Sequence, residues 1–146
     1  MPFKPVRLLI AYDPAGGACA TVVPRMKRML EDRAFVVDTH EIDGTPIDIE
    51  PYRGILFGTP VSGFGLRHGG PTQKVEDFIR GLEGLDEKKV CVFAVYDVSL
   101  GSTFDKMKNQ LIERGAEFIA EHGFWRMRPH AGEHILPAEC MIRIRT

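Results

Sequence analysis

The chain has 146 residues, which is enough for a sizeable core, and we expect a single domain over residues 1–146. Its formal net charge of −1, with 27% charged and 44% hydrophobic residues, does not indicate a nucleic-acid binder. No apolar run is long enough to cross a membrane, and no signal peptide precedes the first predicted strand. Three cysteines without close pairing are typical of reduced thiols, so we expect a cytoplasmic protein.

The first predicted elements are a buried strand, a loop and a helix. Residues 6–11 form a nearly continuous apolar run, which is typical of a strand buried on both faces. Pro14, Gly16 and Gly17 break this run, and a helix is expected from residue 19 or 20 to residue 32. Its apolar residues have helical spacing: Val22, Met26, Met29 and Leu30. The loop therefore brings backbone N–H groups and a helix N terminus together, which is a general anion-binding arrangement.

Two more strands are expected before the middle of the chain. Residues 35–42 form a more polar run, which indicates a strand near the edge of a sheet. Residues 54–57 form a second doubly buried strand, and a loop rich in glycine and hydroxyl side chains follows it up to residue 70. In open α/β sheets, ligands bind outside the carboxyl ends of strands, where such loops emerge.

The second half of the chain repeats this alternation. We expect a helix, a doubly buried strand, a loop, a helix and a strand at residues 71–82, 90–95, 96–103, 103–114 and 117–124. Thr72 is expected to cap the first of these helices, and Gly115 to end the second. Beyond residue 125 two interpretations stay open, a short helix beginning within residues 137–140 or an alternating strand at residues 141–145.

Strands that alternate with helices at this spacing predict a parallel sheet covered on both faces. Right-handed crossover connections leave few topologies for five strands. The three glycine- and hydroxyl-rich loops, at residues 12–19, 58–70 and 96–103, each follow a strand. We therefore expect these loops to converge at one end of the sheet.

With these loops placed, the chain resembles the flavodoxin family from residue 6 to about residue 125. Residues 52–60, Tyr-Arg-Gly-Ile-Leu-Phe-Gly-Thr-Pro, are similar to the family's central strand and flavin-ring loop. Residues 93–102 are similar to its third flavin loop, especially as found in the flavodoxin modules of flavodiiron proteins. The resemblance implies a three-layer α/β/α sandwich with a five-stranded parallel sheet in the order 2-1-3-4-5. It also implies an FMN site at the carboxyl end of that sheet.

The resemblance implies one group of cofactor-binding residues in each loop. The phosphate loop comprises Pro14, Ala15, Gly16, Gly17, Ala18 and Cys19. The two ring loops comprise Thr59, Pro60, Val61, Ser62, Gly63, Phe64, Tyr96, Asp97, Ser99, Gly101 and Ser102. Phe64 or Tyr96 is expected to stack on the isoalloxazine ring. Thr59, Ser62 and Ser99 are expected to hydrogen-bond the edge of the ring.

The phosphate loop departs from the family pattern, S/T-x-T-G-x-T. Only Gly17 is clearly retained; all of the expected hydroxyl groups are missing, and Pro14 removes a backbone donor. Each lost hydrogen bond to a charged phosphate corresponds to about 1.5–3 kcal/mol of binding free energy. We therefore expect FMN to bind weakly or not at all.

Two other kinds of site are weaker alternatives. Cys19 and Arg25 have the C-x5-R spacing of phosphatase loops, and a thiol at a helix N terminus can have a depressed pKa. However, Cys19 lies several residues beyond the first strand, unlike the cysteine of such loops. The histidines and Cys140 have no recognised metal-ligand spacing, so no metal site is expected.

Two functions follow from these observations. The first is an electron-transfer flavoprotein that exchanges electrons with a redox partner protein, in which FMN performs the chemistry and no side chain is catalytic. The second is a flavodoxin fold without flavin, which acts as a binding or regulatory domain. The departures in the phosphate loop favour the second function, whereas the two ring loops favour the first. Neither function involves nucleic acid or a membrane.

Overall fold

The computed structural model describes residues 5–61 and 69–145. These residues contain five strands and four α-helices, with a helix after each strand except β2. They are β1 Arg7–Tyr12, α1 Ala18–Asp32, β2 Val36–Glu41, β3 Gly54–Pro60, α2 Gln73–Gly81, β4 Lys89–Tyr96, α3 Thr103–Glu113, β5 Glu117–Trp125 and α4 Ile135–Arg143. All neighbouring strands are parallel, in the order β2-β1-β3-β4-β5. The predicted sheet and its strand order are therefore confirmed, and β2 lies at an edge as expected.

The strands are buried on both faces because helices cover both sides of the sheet. Leu8 and Ile10 of β1 lie in one apolar cluster with the inner faces of α1 and α4. Leu9 and Ala11 point to the opposite face of the sheet and lie in a second apolar cluster with the inner faces of α2 and α3. This alternation follows from the two-residue period of a strand, and it explains why β1, β3 and β4 are continuous apolar runs.

The predicted helix ends are confirmed, whereas one strand is longer than expected. The Thr72 side chain accepts a hydrogen bond from the Val75 N–H at the start of α2. Gly115 follows α3 with φ +86°, a left-handed conformation that favours glycine at a helix C terminus. β3 continues to Pro60 rather than ending at residue 57, since residues 58–60 still pair with β4.

The C-terminal segment forms a helix, which decides between the two interpretations left open by the sequence. Leu136, Cys140 and Ile144 recur every four residues and are all fully buried against the sheet and α1. Ile142 is 63% exposed, so the apolar alternation at residues 141–145 does not correspond to a strand. Among the helices of the described residues, none is both long and apolar enough to cross a membrane.

Candidate functional site

The three predicted loops meet at the carboxyl end of the sheet, as far as the structure describes them. The backbone N–H of Asp13, after β1, donates to the Gly58 carbonyl oxygen at 3.1 Å. The Val61 N–H donates to the Val95 carbonyl oxygen at 3.0 Å, which joins the second loop to the end of β4. Ser62, Gly63 and Phe64 lie outside the described residues, so their expected contacts with a flavin ring stay predictions.

The first loop has an open, left-handed turn at its centre. Residues 15–17 form one turn of 3-10 helix, in which Gly16 and Gly17 have φ of +71° and +74°. Apart from atoms of the adjacent residues in the chain, no atom of the described residues lies within 4 Å of the place where a Cβ would stand on either glycine. The backbone of this turn is exposed, and no side chain caps the N terminus of α1. Another molecule can therefore approach the backbone closely at this point.

Some of the backbone donors in this loop are already used within the protein. The Gly17 N–H donates to the Pro14 carbonyl oxygen at 3.0 Å. The Ala15 N–H donates to the Asp13 carboxylate at 2.9 Å. These two groups are therefore committed to holding the turn, which reduces the number of N–H groups that a ligand can use.

A small cavity of about 150 Å³ lies beside this turn. It is lined by Gly16, Gly17, Ala18, Thr21, Val95, Arg126 and Pro129. Backbone N–H groups at a helix N terminus, a hydroxyl and a guanidinium are all groups that bind anions. The sequence pattern does not identify Thr21 or Arg126 as site residues. The position of Thr21 could have been inferred from the sequence, because it lies one helical turn beyond Gly17. The sequence around residue 126 gives no indication that Arg126 lies beside the first loop.

Asp13 is a third residue that the sequence pattern did not assign to the site, and it organises the first and second loops. It is 1% exposed, and its two carboxylate oxygens accept from the Ala15 N–H at 2.9 Å and the Thr72 hydroxyl at 2.6 Å. Asp13 thus ties the turn after β1 to the start of α2. A charged acceptor near a helix N terminus is also favoured by the helix dipole.

Thr59 belongs to the same hydrogen-bond network. Its fully buried hydroxyl donates to the Pro60 carbonyl oxygen at 2.7 Å and accepts from the Thr72 N–H at 3.1 Å. The one donor of this hydroxyl is therefore used inside the protein. The expected hydrogen bond between Thr59 and the edge of a flavin ring stays a prediction. To form it, the Thr59 oxygen would have to accept through its remaining lone pair, or its hydroxyl would have to give up the bond to Pro60.

Cys19 is a packing residue at the start of α1. Its side chain is fully buried in the apolar cluster beneath the helix. Burial, with a smaller contribution from the Asp13 carboxylate, raises the pKa of the Cys19 thiol to about 12. A nucleophilic cysteine needs the opposite shift and an accessible sulfur, so the burial of Cys19 argues against the phosphatase-type interpretation. Arg25, the other residue of that spacing, makes two hydrogen bonds to the Glu133 carboxylate at 2.8 and 2.6 Å.

The third loop is held by its own hydroxyl groups. The Ser99 Oγ accepts from the Gly101 N–H at 3.1 Å, and the Ser102 Oγ donates to the Gly69 carbonyl oxygen at 3.1 Å. Gly101 has φ +54°, and a Cβ there would stand 2.6 Å from the Gly69 nitrogen. Gly101 and Ser102 therefore clamp the second and third loops together, a structural role that adds to the predicted binding role.

Tyr96 and Asp97 lie where β4 ends, beside the end of β5. Tyr96 is partly buried, and Asp97 is exposed with its carboxylate 3.6 Å from the Arg126 guanidinium. The Trp125 indole N–H donates to the Asp97 carbonyl oxygen at 3.1 Å, which fixes this loop to β5. These contacts bring the residue after β5 to the edge of the candidate site.

A larger cavity of about 880 Å³ lies elsewhere, between residues 42–49 and α2. No described residue of the three loops lines it, so its size does not connect it with the predicted site. Among the described residues, no group of three or more His, Cys, Asp or Glu side chains is arranged to hold a metal ion.

Comparison with solved structures finds flavodoxins along nearly the whole chain. A two-electron-reduced flavodoxin from Megasphaera elsdenii matches with a TM-score of 0.76 at 19% identity, covering 92% of this chain and 98% of that one. Oxidised flavodoxin 2 from Bacillus cereus matches with a TM-score of 0.71 at 25% identity, covering 96% of this chain and 98% of that one. The chain has a flavodoxin-like fold.

The resemblance seen in the sequence is thus confirmed for the fold. Another flavodoxin, from Fusobacterium nucleatum, was solved bound to flavin mononucleotide. It matches with a TM-score of 0.64 at 12% identity, covering 77% of this chain and 68% of that one. No protein-family model matches the sequence of this flavodoxin-like chain, and no curated protein matches it.

Proposed function

We propose that this flavodoxin-like protein binds FMN at the carboxyl end of its sheet and transfers electrons. The observation that carries the proposal is the junction of the loops after β1, β3 and β4, beside an uncapped helix N terminus. The flavin supplies the redox chemistry when it is bound, and the protein supplies binding, orientation and the local charge. No catalytic side chain is needed.

The residues near the first loop fit the phosphate end of FMN. The open turn at Gly16 and Gly17 allows close approach to the backbone, and Thr21 and Arg126 are among the residues that line the cavity beside it. For the ring end, we propose contacts with Val61 and Tyr96, together with residues 62–64. Val61 is partly exposed directly after β3, where the second loop leaves the sheet, so it can pack on a flat ring.

The electrons would pass to or from a redox partner protein. Apolar side chains are exposed beside the third loop, with Val98 80% and Met127 73% exposed. The hydrogen bond from Trp125 to Asp97 joins the two segments that carry them. Exposed apolar groups next to a redox centre suit a short-lived contact with another protein.

A flavodoxin fold without flavin, acting as a binding or regulatory domain, is the second candidate. Three donors that could bind FMN already make hydrogen bonds within the protein, which favours this second candidate. They are the N–H groups of Ala15 and Gly17 and the hydroxyl of Thr59. The phosphate loop also lacks its own hydroxyl side chains. Each missing donor weakens a phosphate site by about 1.5–3 kcal/mol.

Titration with FMN distinguishes the two candidates. When FMN is titrated against micromolar protein, we expect the flavin fluorescence to be quenched and the visible absorption spectrum of the flavin to shift. Excess FMN should also raise the melting temperature of the protein. If FMN at millimolar concentration produces none of these changes, the FMN proposal is refuted and the cofactor-free domain is left.

A pair of glycine variants tests whether the first loop forms the site. Gly17→Val places a bulky side chain in the open turn, so we expect FMN affinity to fall by about tenfold or more. Gly44→Val is the matched control, since Gly44 also has a positive φ (+88°) and empty space around its Cβ position, but it lies after β2. Equal FMN affinity in the two variants would argue against a phosphate site at this loop.

A further inference from the structure

We propose that Arg126 supplies the charge that holds the FMN phosphate in this protein, in place of the missing hydroxyl groups of the phosphate loop. This inference rests on the proposed FMN function and concerns how that same site is built. It assigns a phosphate-binding role to a residue after β5, outside the three loops that the sequence pattern identified.

The backbone of Arg126 is fixed at the edge of the site. Its N–H donates to the Tyr96 carbonyl oxygen at 2.8 Å, directly at the end of β4. The chain then turns back, with the Arg128 N–H bonded to the Trp125 carbonyl oxygen at 2.9 Å. Arg126 therefore begins a short turn whose position is set by the sheet, and this position places it in the wall of the cavity beside Gly16 and Gly17.

Of the seven described residues that line this cavity, Arg126 is the one that carries a charge. A phosphate monoester carries a charge of about −1.5 to −2 near neutral pH, so it needs a counter-charge when it enters the cavity. The planar guanidinium matches two phosphate oxygens at once, and such charge-assisted bonds are stronger than those from neutral hydroxyls. One arginine can therefore offset the loss of more than one hydroxyl.

The present partner of Arg126 does not prevent this role. Its guanidinium lies 3.6 Å from the Asp97 carboxylate, and the two side chains are 52% and 65% exposed. Exposed ion pairs with this separation are weak. The side chain can consequently leave Asp97 for a phosphate, which has a larger charge and lies next to a helix N terminus.

Thr21 provides a second group in the same wall. Its hydroxyl donates to the Gly17 carbonyl oxygen at 3.2 Å and is exposed. Because a hydroxyl can rotate, it can donate to a phosphate oxygen once the ligand is present. Thr21 lies two residues beyond Cys19, which occupies the last hydroxyl position of the family pattern.

Paired binding measurements with FMN and riboflavin test the role of Arg126, since riboflavin lacks the phosphate. Dissociation constants are measured by flavin fluorescence for the full chain and for two variants, Arg126→Gln and Arg128→Gln. We expect Arg126→Gln to weaken FMN binding by about tenfold and to leave riboflavin binding unchanged. Arg128 is the matched control, because it is a basic residue in the same exposed turn but does not line the cavity.

A third variant should have the opposite effect. Asp97→Asn removes the competing carboxylate, so we expect FMN affinity relative to riboflavin affinity to rise about two- to threefold. A change that is equal for both flavins would contradict the proposed competition between the Asp97 carboxylate and the phosphate for Arg126. Thermal melts of each variant without flavin check that the fold is retained, as expected for exposed side chains.

The outcomes separate the inference from the proposed function. If the unmodified protein binds both flavins and the ratio of their affinities is the same in Arg126→Gln, the Arg126 proposal is overturned while FMN binding stands. An equal loss in Arg128→Gln would also overturn it, since only general positive charge would then matter. If the unmodified protein binds neither flavin, both the inference and the proposed function are wrong.

Discussion

Replacing Asp13 should destabilise the protein more than any other single carboxylate in the candidate site. Its buried side chain accepts one hydrogen bond from the Ala15 N–H and one from the Thr72 hydroxyl. Asp13→Ala removes both acceptors at once. The turn after β1 would then lose its connection to the start of α2.

The size of this effect can be estimated from the two hydrogen bonds. A bond to a charged group contributes about 1.5–3 kcal/mol to folding. Ala15 is exposed, so its N–H can bond to water in the variant, whereas the Thr72 hydroxyl is partly buried. We therefore count the bond from Thr72 fully and the bond from Ala15 only in part. The expected loss is about 2–4 kcal/mol in the free energy of unfolding. For a chain of this length that corresponds to a fall in Tm of about 6–12 °C.

Urea unfolding followed by circular dichroism measures this loss, with Asp43→Ala as the control. Asp43 accepts from the Thr45 N–H at 2.9 Å, which is the same local contact that Asp13 makes with Ala15, but it lies in an exposed loop. We expect the control to change stability little. A loss in Asp13→Ala below about 1 kcal/mol, or equal to that of Asp43→Ala, would contradict the role given to the buried network.

Three more predictions concern other parts of the fold. Burial lowers the pKa of His122, so the imidazole takes up a proton more readily in the unfolded chain than in the folded one. The free energy of unfolding is therefore highest above about pH 6.5 and falls as the pH drops below that value. The His122→Gln variant should therefore lose less stability than the unmodified protein between about pH 7 and pH 5.5 in urea titrations. Gly58→Ala should cost about 2–3 kcal/mol, because its Cβ would overlap the Phe93 ring, and a change below about 0.5 kcal/mol would contradict this packing. Iodoacetamide at neutral pH should label native Cys19 far more slowly than a free thiol, and rapid labelling seen by mass spectrometry would refute its burial.

The sheet was predictable because its central strands are recognisable from their own residues as continuous apolar runs. Strands covered on both faces must be apolar at every position, and residues 54–57 and 90–95 are. The end of β3 was missed, since Gly58, Thr59 and Pro60 have the composition of a turn. Gly58 stays in the strand because the Phe93 ring of the neighbouring strand occupies the space where a side chain would be.

The site was only partly predictable, because its missed groups depend on contacts between distant parts of the chain. Asp13 and Thr72 are 59 residues apart in sequence, and no local pattern shows that they meet. Arg126 reaches the first loop only because β4 and β5 are neighbours with Tyr96 opposite Trp125. A motif comparison detects a hydroxyl missing from its usual position, but it cannot detect a guanidinium that arrives from another strand.

The contacts around the first loop also separate two reasons for weak flavin binding. A loop that folds only around its ligand loses affinity because ordering it costs free energy. Here the turn is held by the Asp13 carboxylate, by the bond from Gly17 to Pro14 and by the packing of Cys19, all without any ligand. Weak binding in this protein would therefore come from too few donors rather than from the cost of ordering. It follows that added charge at the cavity should increase FMN affinity, whereas substitutions that only stiffen the loop should not.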